Sequence, residues 1–337
     1  MTRPKLLLIF AKISKGNIDN FRDWLFDKIN VMEPETPTSL YKTGYVAIIG
    51  RPNVGKSTLV NAFLGQKVAA VSPRPQTTRK RQLGILTFQR DEIFAQVIFV
   101  DTPGIHQARH KLGEHMNTEA IETLQESDMI LWLVDASQEP QPDDRLTANL
   151  LYGLKRKTPL ILALNKIDLI DTDTQQSRAA LFSSWLPQAH QALVSATRGD
   201  GLDRLLDLIL DHLRENPPLY PEEQLTDLYE REIAADLIRE AALKILRDEV
   251  PHGIAIRIDQ YLERDEQGAY IEATLFVERE SHKGIVIGQG GKMLKRIGTS
   301  ARQEIEAMSG RSVFLNLKVK VRKDWRNDEK VLRGFGY

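Results

Sequence analysis

Gly50 and Gly55 bracket Arg51, Pro52, Asn53 and Val54, and Lys56, Ser57 and Thr58 follow directly. This pattern can hold a polyphosphate. The glycines let the backbone wrap the anion, and the N–H groups of the turn and of the next helix's first turn supply positive potential. Lys56 would reach the β- and γ-phosphates as a point charge, and Ser57 would offer its hydroxyl to Mg2+. The bland alternative is a chance glycine loop. The apolar run 45–49 before it and the helical pattern over 57–65 after it argue for a phosphate loop, because that motif must join a strand to a helix.

Which base accompanies the phosphates is read further along. Asn165, Lys166, Ile167 and Asp168 follow the apolar run 160–164. A carboxylate there can accept from both N1–H and the exocyclic N2–H2 of guanine, and adenine offers no such pair. Alone, these four residues would read as a surface loop. After a strand and downstream of a phosphate loop they point to GTP and GDP. Ser195, Ala196 and Thr197 end the next run, where backbone amides can meet guanine O6. Asp101, Thr102, Pro103 and Gly104 end the run 96–100. Asp101 would hold Mg2+ through water, and the Gly104 amide would sense the γ-phosphate. Some GTPases place a water-orienting glutamine next, but here the residue is Ile105, which has no hydrogen-bonding side chain. His106 follows, and a lone histidine is more often structural than catalytic.

These residues need a scaffold. Runs 45–49, 81–88, 96–100, 129–134, 160–164 and 192–194 alternate with helical stretches near 57–65, 110–126, 141–154, 174–186 and 201–215. Short Val/Ile/Leu runs alternating with helices predict a mostly parallel sheet covered on both faces. The second and third runs are close enough for a hairpin, which makes the sheet mixed. Asn216, Pro217 and Pro218 break the last helix and open a linker over 217–227. Beyond it the order changes. A helix over 228–249, strands over 253–262 and 269–279, a glycine-rich segment from Gly284, a helix over 291–308 and a strand over 312–321 form a second, α+β domain, 228–337, ending in a basic tail.

In that domain Gly288, Gln289, Gly290 and Gly291 make a loop that can approach a nucleic-acid backbone, since no Cβ intervenes. Alone, such a loop is a weak signal and often merely caps a helix. Lys283, Lys292, Lys295 and Arg296 flank it, and Lys318, Lys320, Arg322 and Lys323 lie on or after the last strand. Net charge is zero over the chain, yet residues 221–280 sum to −9 and 281–337 to +8. A basic end fits a polyanion, although lysines and arginines also simply solvate surfaces. Ile285, Val286 and Ile287 read chiefly as core, with Ile287 also a candidate contact to bases. Trp325 reads either as a stacking platform or as a buried anchor.

The four nucleotide motifs, in order and spacing, resemble the translation-factor-related GTPases. The run from Gly50 to Thr58, Gln76 to Arg79, and Asp101 to Gly104 look like the Era family in particular. The second domain resembles a type II KH module. The resemblance covers residues 44–337 and implies an α/β P-loop GTPase domain over 44–216, with helices on both faces of a mixed sheet, plus a C-terminal α+β type II KH domain. It places switch I at 69–82 and favours Thr78 over Thr77 as a Mg2+ ligand beside Ser57 and Asp101. Asn53 at its position suggests K+ beside the phosphates as a charge-neutralising element. Lys56, Asn53, Thr78 and Gly104 are then the catalytic set, with slow intrinsic turnover. Implied partners are the 3′ region of 16S ribosomal RNA and the small ribosomal subunit, whose assembly such factors assist. A monomer with some peripheral membrane association is expected. One departure stands out: KH loops usually carry Lys or Arg between the glycines, and Gln289 and Gly290 stand here. Lys292 would compensate, at the cost of salt-sensitive binding. The residues also admit two other readings: an RNA-binding scaffold with negligible turnover, and a GTPase of transfer-RNA modification or iron transport. The intact Lys56, Ser57, Asp101 and Asp168 disfavour the first, and the KH-like domain disfavours the second.

The absence of cysteine excludes disulfides and thiolate chemistry. The apolar run 6–11 is shorter than the roughly 7–15 residues of a signal-peptide core. A cytoplasmic protein is expected. Residues 1–43 do not resemble the rest, and Met32 reads as the start of translation, an expectation that a natural mass beginning at Met1 would overturn.

Overall fold

The computed structural model describes residues 40–337 except 73, 75, 76, 91, 155, 156, 266 and 267. The reading of Met32 and of the segment before residue 40 lies outside the described residues.

The first unit runs β1 (Leu40–Ile49), α1 (Lys56–Leu64), β2 (Gln82–Arg90), β3 (Ile93–Asp101), α2 (Lys111–Glu126), β4 (Met129–Asp135), α3 (Pro142–Tyr152), β5 (Leu160–Asn165), α4 (Thr172–Trp185), β6 (His190–Leu193) and α5 (Leu202–His212). The six strands form one sheet in the order β2-β3-β1-β4-β5-β6. Every neighbour pairs parallel except β2 with β3, the expected hairpin. Side-chain alternation divides each central strand between two cores. Val46, Ile48, Met129, Leu131 and Leu133 pack on one face, and Ala47, Ile49, Ile130, Trp132 and Val134 on the other. Both faces are therefore covered, and the strand ends carry the loops of the nucleotide motifs.

The expected boundary at residue 44 falls inside β1, whose pairing with β3 starts at Leu40 opposite Ile93. Tyr41, Lys42 and Thr43 are not apolar, so hydropathy hid this part of the strand. They are held laterally: Thr43 N–H donates to Arg214 O, and Asn216 N–H to Tyr41 O. The linker is anchored as well. The Gln96 amide accepts from Leu219 N–H and Tyr220 N–H and donates to Tyr220 O, and Ile85 N–H donates to Leu225 O.

The second unit runs α6 (Glu230–Ile245), β7 (Ala255–Asp265), β8 (Gly268–Val277), α7 (Glu280–Ile287), α8 (Lys292–Ser309), β9 (Ser312–Val321) and α9 (Glu329–Gly334). β8 pairs antiparallel with β7 and parallel with β9. Ile233, Leu237, Ile271, Leu275, Val286, Ile297, Ala301 and Ile305 make its core. The supposed basic tail is instead structured: Trp325–Asn327 form a 3-10 turn and α9 follows, with Asp328 capping the Lys330 and Val331 amides. Trp325 is the buried anchor of the two readings. It is fully buried, donates from Nε1 to Gly253 O at 2.9 Å, and packs with Leu332, Phe276 and Ala255 against Leu112 and Met116 of α2. Trp325→Ala is expected to cost about 3–5 kcal/mol, as large-to-small changes of buried aromatics do, visible as a lower urea midpoint.

Candidate functional site

The phosphate loop turns between β1 and α1. A Cβ at Gly50 would lie 2.2 Å from Leu133 O, and one at Gly55 (φ 103°) 2.4 Å from Asn165 Nδ2, so both positions require glycine. Between them Asn53 is left-handed at φ 66°. Val54 is buried in the core and fastens the loop from below. Lys56, at the start of α1, is buried, and its Nζ donates to Gly50 O at 3.1 Å and Arg51 O at 3.2 Å. Burial pushes its pKa down to about 8, against the opposing pull of Asp101. A desolvated ammonium whose hydrogen bonds among the described residues go to carbonyls is primed for an anion.

Ser57, Thr78 and Asp101 come from α1, the 69–82 segment and the end of β3, and they meet. Ser57 Oγ donates to Asp101 Oδ2 at 2.5 Å and lies 2.8 Å from Thr78 Oγ1, and Thr78 Oγ1 donates to the same Oδ2 at 3.2 Å. Asp101 is fully buried, which raises its pKa against the attraction of Lys56, and its Oδ1 has no hydrogen-bond partner among the described residues. Two hydroxyls and an orphaned buried carboxylate oxygen are hard oxygen donors of the kind Mg2+ takes. Thr77 points away and donates to Arg74 O at 2.9 Å. A small cleft of about 50 Å3 lies here, lined by Asn53, Lys56, Ser57, Thr58, Thr78 and Gly104 among others. A Cβ at Gly104 would come within 2.6 Å of Pro52 N, so this glycine lies directly on the phosphate loop. Ile105 is buried, and His106 Nδ1 lies 2.8 Å from Gly104 O.

At the end of β5, Asn165 is a clamp. Its Nδ2 donates to Val54 O at 2.8 Å and its Oδ1 accepts from Ala196 N–H at 3.0 Å. It therefore ties the phosphate loop to the Ser195–Thr197 loop, where the Ser195 amide is itself spent on Asp200 O and the Ser195 and Thr197 hydroxyls lie 3.3 Å apart. Lys166, left-handed at φ 66°, reaches back over the phosphate loop to Asn53 O at 2.9 Å and Asp135 Oδ2 at 2.7 Å. Asp168 sits in the 3-10 turn Ile167–Leu169, and its carboxylate takes no partner among the described residues.

Two residues absent from the sequence-based set join the site. Asp135, buried at the end of β4, lies between Lys166 and Arg51, whose Nη2 is 3.7 Å away. Arg51 Nε also binds Asp144 of α3 at 3.1 Å. Arg51 thus braces the loop against β4 and α3. The available signal was a lone carboxylate closing an otherwise apolar strand.

In the second unit Gly288, Gly290 and Gly291 have φ of 71°, 58° and 76°. A Cβ at Gly288 would meet Met293 Cβ at 2.6 Å, whereas nothing lies within 4 Å of one at Gly290 or Gly291. Gln289, Lys292, Lys295 and Arg296 are exposed around this loop, and Lys283 and Ile287 are half-buried. Val286 is core, and Ile285 is exposed instead of packed. The segment from Gly284 to Ile287, read as a glycine-rich stretch, is the last turn of α7.

Besides the packing of Trp325 on α2, the two units meet through Lys67 and switch I. Lys67 pairs with Glu240 and Glu304 at 2.8 Å each, and Val71 N–H donates to Glu240. Arg74 donates to Leu243 O and Leu246 O, satisfying carbonyls at the end of α6. Arg79 donates to Ile254 O at 2.7 Å and His252 O at 3.2 Å.

Two family profiles match the chain: one described as a 50S ribosome-binding GTPase over residues 45–166, and one as a KH domain over 249–326. GTPase Era of Heliobacterium modesticaldum is 46% identical over 296 residues, covering 88% of this chain and 97% of that protein. GTPase Era of Ruminiclostridium cellulolyticum is 45% identical over 298 residues, covering 88% and 98%. Among solved structures, Era in complex with MgGDPNP and nucleotides 1506–1542 of 16S ribosomal RNA superposes with a TM-score of 0.82 at 41% identity, covering 88% of this chain and 99% of that one. An Aquifex aeolicus Era variant bound to GDP·AlF4− gives the same score at 40% identity and the same coverage. With a GTPase profile and a KH profile on one chain, and relatives this similar over nearly their full length, the chain belongs to the Era family of GTPases.

Proposed function

We propose that this GTPase is a nucleotide-driven switch that binds the 3′ region of 16S ribosomal RNA through its KH domain and assists assembly of the small ribosomal subunit. The observation that carries the reading is a two-residue bridge. Thr78 sits in the Ser57–Asp101 cluster, and the next residue, Arg79, grips the carbonyls of residues 252 and 254 leading into β7. Whatever moves Thr78 moves the hold on the RNA-binding half. The Era relative solved with 16S ribosomal RNA supports the partner.

In this reading residues 50–58 wrap the phosphates, and Lys56 exchanges its two carbonyl partners for phosphate oxygens. Ser57, Thr78 and Asp101 hold Mg2+, which when bound neutralises charge on the β- and γ-phosphates. Gly104 presents its amide to the γ-phosphate. Asp168 reads guanine beside Lys166, and the Ser195–Thr197 loop closes the base site. No side chain at 105 can orient water, so catalysis rests on electrostatics. Asn53 would hold K+, which would supply the positive charge. Turnover several-fold faster in KCl than in NaCl, with the difference lost in Asn53→Ala, is the expected result; equal rates in both salts would remove K+ from the mechanism.

RNA lies along Gly288–Gly291, with Lys283, Lys292, Lys295 and Arg296 on its phosphates and Ile287 beneath a base. The setting is cytoplasmic and monomeric; among the described residues no helix is long and apolar enough to cross a membrane, and any membrane association is peripheral. The test measures GTP turnover with and without a single-stranded RNA matching the 3′ end of 16S ribosomal RNA. Gly290→Asp is the control, since this open, left-handed position accepts an aspartate and places a negative charge where a phosphate must come. Stimulation several-fold in the natural protein and none in the variant is expected. RNA binding without turnover would leave a scaffold, and turnover without RNA binding would leave a GTPase with another partner.

A further inference from the structure

Between switch I, α6 and β7 lies a cavity of about 200 Å3 that is lined by none of the phosphate-loop residues. Its cations converge from three elements: Arg79, Lys80 and Arg81 from switch I, Arg231 and Arg239 from α6, and Arg257 from β7, against two carboxylates, Glu232 and Asp236. Arg81 is paired with Glu126 at 2.8 Å. Arg239 is paired with Asp236 at 2.8 Å and Arg257 with Asp259 at 2.7 Å. Arg79, Lys80 and Arg231 form no ion pair among the described residues. Arg231 donates from Nη2 only to a carbonyl, Ile258 O, at 2.8 Å. Arg79 is 3% exposed, its two Nη groups serve backbone carbonyls, with the Tyr337 hydroxyl 3.5 Å from Nη1 and the Trp325 ring 5.5 Å beneath the guanidinium, and its Nε has no hydrogen-bond partner among the described residues. Burial lowers its pKa. A buried guanidinium with an orphaned donor and no carboxylate is costly unless an anion answers it.

We propose that this cavity is an anion site for a phosphate group, either a free phosphate or a backbone phosphate of bound RNA. Guanidinium forks match tetrahedral phosphate oxygens, and Lys80 adds a point charge from the rim. Because Arg79 follows Thr78, an anion here clamps switch I to α6 and β7 from outside the nucleotide pocket. The site stands apart from the glycine loop and does not depend on the RNA assignment of that loop.

The test uses the full chain saturated with Mg2+·GDP, so that the phosphate loop is filled. Inorganic phosphate is titrated at low ionic strength and followed by 31P line broadening. Saturable broadening is expected in the natural protein and in Arg204→Gln, an exposed arginine on α5 that serves as charge control. It should weaken at least about tenfold in Arg231→Gln and in Lys80→Gln, as loss of a charge-assisted contact implies. Arg231 is exposed on a helix and glutamine suits helices, so its loss does not threaten folding. RNA distinguishes the source. If RNA displaces inorganic phosphate and Arg231→Gln lowers the salt slope of RNA binding by about one, the group is an RNA phosphate. If RNA binding ignores the substitution while phosphate still binds, the ligand is a free anion. Phosphate broadening and RNA affinity that both ignore Arg231→Gln and Lys80→Gln would overturn the proposal.

Discussion

Lys56→Ala is expected to lower kcat/KM for GTP by about a hundredfold to several thousandfold. The ammonium is buried at the start of α1, bonded among the described residues to two backbone carbonyls and attracted by Asp101. Removing one side of a desolvated charge pair costs about 3–5 kcal/mol, and each 1.4 kcal/mol is tenfold. Stability should stay nearly level. Without nucleotide the variant sheds the desolvation cost of a buried charge but also loses its attraction for the buried Asp101, so the two offset and its melting temperature should stay close to that of the natural protein. Failure of catalysis through unfolding would contradict this pattern. The lowered pKa adds a pH signature. Above about pH 8 the free protein increasingly carries neutral Lys56, whereas phosphate binding favours the charged form. Binding then requires proton uptake, so GDP affinity should be flat below pH 8 and fall by up to about tenfold per pH unit above it. Calorimetry in buffers of different ionisation enthalpy measures the proton directly. Turnover at the natural rate in the alanine variant would remove Lys56 from the site.

The nucleotide motifs were legible because each is short, local and placed at the end of an apolar run. Residues 50–58, 101–104 and 165–168 need only a strand before them to be in position, and hydropathy reveals the strands. Thr78 against Thr77 was not decidable from residue type, and distance separates them: one hydroxyl reaches Asp101, the other Arg74 O. The role of Asp135 is not legible in sequence because its partners, Arg51 and Lys166, come from distant loops. The bridge between the halves was invisible for another reason. Arg74 and Arg79 bind carbonyls, and any sequence supplies carbonyls. Residues 325–334 read as a basic tail because Trp325 and Leu332 are too sparse to show a helical stripe. They fold by packing on Leu112 and Met116, which belong to the other half.

Asp168→Asn is expected to weaken GTP binding by about a hundredfold or more and to create affinity for xanthosine triphosphate. In guanine, N1–H and N2–H2 both donate, and a carboxylate accepts both; each charge-assisted bond contributes about 1.5–3 kcal/mol. An amide at 168 keeps one acceptor but turns its –NH2 toward the –NH2 of guanine, so two donors face each other. Xanthine carries a carbonyl at C2, and the same amide then donates to it while accepting from N1–H. The substitution is readable because Asp168 supports nothing else. Its carboxylate has no partner among the described residues, so the 3-10 turn Ile167–Leu169 loses no bond. Asn165 is the contrast. Its side chain clamps Val54 O and Ala196 N–H, so Asn165→Ala should weaken every nucleotide alike by loosening two loops at once. Competition binding with GDP, ADP and xanthosine diphosphate on the two variants separates base reading from loop anchoring. Unchanged GDP affinity in Asp168→Asn would mean that the base is read elsewhere; a uniform loss across the three nucleotides would mean that position 168 holds the loop and not the base.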